Sequence, residues 1–459
     1  MTTNAGAVET LRPTAIPVGV GVPYDGEEMP GHLGVFQRAM LRWNDQAPYN
    51  AVHVARISGA FDRERLHDTV AGILADSGLT GLVLDRRGRR FHYRGGPARV
   101  SLEVLAPGDI SASLAGEIRA QISAPFALDE PFTPIRFFAI PDGDHFYLGT
   151  AYCHFISDAD PIVAVMGAIA SAYQGDETLL GAWDPYPAMR RQLLPLIFKS
   201  LPWCLAGLPR FVLNMSRSVK PHYSPKRGRT NGYTFFTIGA PQLGKLSEAS
   251  HRWGVTLNDV FLAALARAVR PLAARRAAGG KRDRIAVSSI ASIRKDLRWR
   301  CANKVAPFLG SYAVFQPLSS DDSLEGAARN VNMQSAAAKK HRIYLRTIVD
   351  LHAENLLLRF TSAERRDKIF RQNYPLWGGV SSLNLDSPSC RAEAGAMSGY
   401  LRAVSTGPAC PLVLSLTTLG GELSVGVSYR TAVFSPEAIS GIISSLKHSF
   451  ENPSGAQGL

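Results

Sequence analysis

His154 and Asp158 stand four residues apart in the run CHFISDA, and this is where the chain offers chemistry. A histidine titrates near neutral pH, so an imidazole held at a cavity can take the proton of an attacking hydroxyl or amine. Asp158 can either orient that ring or pair with a distant cation. Two other chemistries fail on spacing. Cys153 adjoins His154, and neighbours on a strand point to opposite faces, so thiol and imidazole would not meet. A metal site on His154 and Asp158 has no third ligand at helix or hairpin spacing. His145 and His251 have no such context and read as structural.

The positioning elements follow from pattern. Residues 145–153 form an apolar, aromatic-rich run with strand character. A polar break at Ser157-Asp158-Ala159-Asp160 follows, then apolar residues at helical spacing: Ile162, Val165, Met166, Ile169 and Tyr173. Asp160 before Pro161 reads as an N-cap and a first helical residue. His154 is therefore expected where a buried strand gives way to a polar turn. Upstream, Pro141-Asp142-Gly143-Asp144 is a hairpin signal that makes 135–140 and 145–153 antiparallel neighbours.

Strands are also expected at 51–57, 233–238, 282–293, 308–315, 380–385, 412–418 and 423–429, the last two joined by Gly420-Gly421. Helices follow Asp62, Thr256 and Ser435, each a capping residue, and most of 321–358 is helical. The segment 190–229 is apolar and basic together, interrupted by Pro195, Pro202, Pro209 and Pro221. Those prolines suggest short helices packed on the second half; an interfacial membrane contact is the alternative. The expected division is an N-terminal arm at 1–30, a lobe at 31–185 carrying His154, a crossover at 186–230 and a second lobe at 231–459. Each lobe is a mixed sheet with helices, an α+β pattern met twice.

The 459 residues are 46% hydrophobic and 19% charged, which is globular composition, and the net charge is +13. That charge favours anionic partners: phosphate-bearing small molecules or a membrane surface. Nucleic acid is not expected, since no helix-turn-helix, zinc-finger or RNP-type pattern is present. Five scattered cysteines form no CxxC, and the first residues lack a basic region followed by an apolar core, so a reduced cytoplasmic setting is expected. Uninterrupted apolar runs are too short to predict a spanning helix.

With these residues in place, the sequence resembles condensation domains and their relatives in the CoA-dependent, chloramphenicol acetyltransferase-like superfamily. CHFISDA is similar to their HHxxxDG signature, with Cys153 for the first His and Ala159 for the Gly. PFALDEPFTPIRFFAI, TLNDVFLAAL, the segment 287–310 with Arg294 and Asn303, and the closing run from Gly407 to Ile439 are similar to family segments in the same order. A DFG-type motif is absent. The resemblance implies two acetyltransferase-like lobes in a V-shaped pseudo-dimer with a tunnel between them. It implies acyl transfer from acyl-CoA or a phosphopantetheine-linked carrier protein to a hydroxyl or amine, with His154 as general base and no acyl-enzyme. Asp158 would pair structurally with Arg294. Ser381, Ser382 and Asn384 are candidate oxyanion or substrate donors. No permanently bound cofactor is implied. A wax ester synthase-like lipid enzyme and a catalytically silent, carrier-binding relative are the alternatives.

Overall fold

Alternating and capped segments assemble into two mixed lobes in the computed structural model, which describes residues 31–453. Within that span, residues 107, 129–130, 177–182, 188–189, 225–229, 278–279, 298–303, 320–322, 358–360, 363–364, 366–367, 369–374, 388–389 and 391–394 lie outside the description. So do the expected arm at 1–30 and Asn303.

The first half runs β1 (Gly31–His32), α1 (Val35–Asn44), β2 (Asn50–Ser58), α2 (Arg63–Ser77), β3 (Leu82–Asp85), β4 (Arg90–Tyr93), β5 (Leu102–Val104), α3 (Ile110–Ser123), β6 (Ile135–Asp142), β7 (His145–Cys153), α4 (Ala159–Gln174) and α5 (Arg190–Arg217). The second runs β8 (Asn231–Ile238), α6 (Ala240–Trp253), α7 (Leu257–Ala277), β9 (Arg284–Ser292), β10 (Leu309–Pro317), α8 (Leu324–Lys340), α9 (Arg346–Leu357), β11 (Leu376–Asn384), β12 (Met397–Val404), β13 (Leu412–Leu419), β14 (Glu422–Arg430) and α10 (Pro436–Glu451).

Local chemistry accounts for the ends. Asp62 accepts from the Arg65 amide to start α2, which buries Leu66, Val70, Ile73 and Leu74. Thr256 and Asp259 bond reciprocally before α7. β6 and β7 pair antiparallel through the turn at Gly143, whose φ of +66° suits glycine.

Among the described residues three sheets form, in the orders β1-β4-β3, β12-β2-β7-β6-β5 and β10-β9-β11-β13-β14-β8. β12 comes from the second half of the chain yet pairs antiparallel with β2, completing the five-stranded sheet of the first lobe. In return α1 places Val35, Phe36 and Ala39 in the core of the second lobe. The first lobe's core gathers around Leu66, Phe137, Phe146, Tyr152 and Ile169.

Two expectations change. Residues 190–217 form one helix through Pro195, Pro202 and Pro209, not several short ones. Prolines seven residues apart lie on one face, so the backbone hydrogen bonds they remove fall on the same side of the helix and the other side stays intact. α4 begins at Ala159 with Asp158 at its cap position, so Asp160 sits in the first turn and is not the cap.

Candidate active site

β7 ends at Cys153, and the chain turns immediately into α4. His154 is the first residue beyond the strand and is half-buried. Its backbone amide donates to the Tyr49 carbonyl at 3.1 Å. Its ring stacks on Tyr49 at 5.5 Å and meets the edge of Tyr152 at 6.0 Å. These two rings fix the plane of the imidazole.

Nδ1 lies 3.0 Å from the Ser157 carbonyl oxygen. A carbonyl only accepts, so Nδ1 carries the proton and Nε2 holds the lone pair. Among the described residues no group bonds Nε2, nor is it one of the enclosed polar atoms left without a partner. Burial lowers the proton affinity of His154 below the ordinary histidine value; the Ser157 carbonyl and Asp158 oppose that shift, and Arg402 adds to it. The result is a neutral imidazole with its basic nitrogen open, as a general base requires.

The turn that aims His154 is held by Asp158. Arg294, just after β9 in the second lobe, donates through Nη2 to Asp158 Oδ1 at 2.6 Å and through Nε to Oδ2 at 3.0 Å. The Phe308 amide adds a bond to Oδ2 at 3.1 Å. Arg294 also donates to the carbonyls of Lys304 and Ala306 and lies over the Phe308 ring. Both side chains are 5% exposed, so the pair is buried and well satisfied. Asp160 approaches Arg294 Nε at 3.5 Å. Burial raises its carboxyl to about 6, with Asp158 adding to the push and Arg294 opposing it.

Cys153 is buried in the first-lobe core, and burial drives its thiol well above the ordinary range. It stays protonated and cannot serve as a nucleophile. Ser382 Oγ donates to Asn258 Oδ1 at 2.9 Å, and Asn384 Oδ1 accepts from the Asp386 amide at 3.0 Å. No hydrogen bond joins either residue to His154. Ser381 enters the site's surroundings through its carbonyl, which accepts from Arg402 at 3.0 Å.

Two residues of this region escape sequence reasoning. Arg402 on β12 is buried; Nε donates to Thr417 Oγ1 at 2.8 Å and Nη2 to the Leu416 carbonyl at 2.8 Å. Among the described residues no carboxylate bonds it, and its charge acts on the surrounding groups, His154 included. His53, opposite Arg402 in the sheet, has Nδ1 at 2.7 Å from Tyr400 Oη and Nε2 at 3.3 Å from Tyr152 Oη. Burial keeps it neutral. The only signal was a lone basic residue inside each of two strands.

A cavity of about 1000 Å³ lies beside α1 and the start of α5, lined by Phe36, Leu193, Leu194, Ile197 and Ile348. It reaches Ala306, whose carbonyl holds Arg294.

No protein-family model matches the chain, and no curated protein does. Solved structures do. The first condensation domain of the calcium-dependent antibiotic synthetase is 13% identical with a TM-score of 0.67, over 93% of this chain and 98% of that one. The cyclization-docking bidomain of the EpoB nonribosomal peptide synthetase from Sorangium cellulosum is 16% identical with a TM-score of 0.66, over 95% and 86%. The epimerization domain of the third module of tyrocidine synthetase B is 15% identical with a TM-score of 0.58, over 92% and 98%. The fold is condensation-domain-like, with two chloramphenicol acetyltransferase-like lobes.

Proposed function

We propose that this chain is a cytoplasmic acyltransferase. It moves an acyl group from a thioester, on CoA or on the phosphopantetheine arm of a carrier protein, to a hydroxyl or amine. The observation that carries this reading is the neutral His154 imidazole with Nε2 open and Nδ1 held by the Ser157 carbonyl. The fold shared with condensation, cyclization and epimerization domains supports it.

Donor and acceptor enter a tunnel between the lobes of a V and meet at His154. Nε2 removes the acceptor's proton as its oxygen or nitrogen attacks the thioester carbon, and the proton then passes to the departing thiolate. The negative charge that develops on the thioester oxygen needs a donor. Arg402 joins Ser381, Ser382 and Asn384 as a candidate for that role, because its charge acts on His154 and among the described residues no carboxylate bonds it. Asp158 and Arg294 position the turn without touching substrate. A second reading, transfer onto a lipid acceptor, is favoured by the apolar cavity beside α5.

Thiol release from a panel of acyl-CoA and acyl-carrier donors tests the base. His154→Ala should lose about 10²–10⁴-fold in rate. Equal release by wild type and variant removes the assignment; carrier binding with no turnover by wild type identifies a silent relative.

A further inference from the structure

A helix on the surface of a globular protein turns its apolar stripe inward. α5 packs one apolar side inward and carries a second one outward. Leu194, Phe198, Leu201, Leu205, Leu208 and Val212 follow one another at alternate spacings of four and three, so they form one ridge, and all six are exposed. Phe198 is 66% and Leu205 58% exposed. The face turned to the protein buries Leu193, Ser200, Cys204 and Asn214, with Leu196, Ile197 and Phe211 partly buried against the second lobe. At about 1.5 Å per residue the helix is about 42 Å long, so this is an extended apolar surface and not a stray side chain.

The charge carried by the helix itself has one sign, although Arg217 at its end pairs with Asp283 and Asp350 of α9 lies near Cys204. The helix sequence contains no Asp or Glu. Lys199 and Arg210 are exposed on a different flank from the ridge. Trp203 stacks on His341 at 3.9 Å, which brings the exposed Lys339 and Lys340 at the end of α8 beside the same helix.

We propose that α5 docks this protein on the surface of an anionic phospholipid bilayer, with the ridge in the acyl boundary and the lysines and arginine among the headgroups. By length and composition, the stretch from Leu193 to Arg217 matches a membrane span. Its packing on the body through Leu193, Ser200 and Cys204 keeps it at the interface instead. A second copy of the chain is a poorer occupant. The ridge spacing matches a coiled-coil seam, but pairing would bring together two helices of like charge on molecules of net charge +13, each interrupted by three prolines. The bilayer also fits the cavity, because Leu194 belongs both to the ridge and to the cavity wall. A lipid chain leaving the membrane at this end of α5 would meet Leu193, Leu194 and Ile197 at the cavity wall.

The inference rests on this surface and not on the role of His154. The test is co-sedimentation of the full chain with mixed phosphatidylcholine–phosphatidylglycerol vesicles, against phosphatidylcholine alone. Wild type should bind the mixed vesicles, and more weakly as salt rises. Leu201→Glu with Leu205→Glu should abolish binding, while Lys199→Ala and Arg210→Ala should each weaken it about fivefold. All four residues are exposed, so the thermal midpoint should not move; should the double variant unfold, the two basic variants carry the test. No binding by wild type, or binding that neither ridge nor charge variants change, overturns the proposal. So does a wild-type dimer, or a complex with an acidic carrier protein, that the ridge variant dissociates without any vesicle binding. In each case thiol release in solution remains a separate readout of the acyltransferase reading.

Discussion

The His154 imidazole is a base only while unprotonated, and burial and Arg402 both push it that way. The acid limb of kcat/KM should therefore fall below the ordinary histidine value of about 6.5. Removing the Arg402 charge takes away one of the influences lowering the His154 pKa, so Arg402→Gln should move that limb to higher pH. A pH profile of thiol release checks this, with a thermal melt to confirm that the variant is folded. An unmoved limb in a folded variant would show that Arg402 does not act on His154. His154, Asp158 and Arg294 were legible in the sequence because a local motif and its supporting segments carry them. Arg402 and His53 were not. His53 finds its partner Tyr400 across 347 residues of sequence, and nothing local announces such a contact.

β12 makes the same point for elements. Its run MSGYLRAV carries a glycine and an arginine and lacks clean alternation, so it has little strand signal. It forms because β2 offers an edge to pair with and because the second sheet packs against it. Where β12 crosses β14, Gly426 lets the backbones approach: an added Cβ would drive into the Arg402 carbonyl oxygen. Gly426→Ala should displace β12 and with it Arg402, costing about 1–3 kcal/mol of stability and lowering the rate of acyl transfer. On β12 itself, Gly399→Ala meets only the Arg56 side chain, at 3.5 Å, and should be tolerated. Equal chemical denaturation midpoints for the two variants would sink the argument. α2, α7, α10 and the β6–β7 hairpin were readable from caps and turn residues. α5 was misread because its prolines counted singly as breaks, whereas on one shared face they leave the hydrogen bonds of the other side in place.

The two lobes are not separable halves. α1 enters the second core, β12 completes the first sheet, and α3 packs against β8. Asp158 and Arg294 join these lobes at the turn that aims His154, so one ion pair serves both the assembly and the site. Asp158→Asn keeps the shape of the side chain but removes the carboxylate that holds the buried Arg294 at 2.6 Å, while Asp160 stands at 3.5 Å. Breaking one side of a buried pair typically costs about 3–5 kcal/mol. Asp158→Asn should accordingly lower the denaturant midpoint and the rate of thiol release together, because the Ser157 carbonyl that holds Nδ1 moves with the turn. If the rate fell while the midpoint stayed at the wild-type value, Asp158 would be acting on the imidazole directly, and the lobes would be held by their interlocked strands and helices alone.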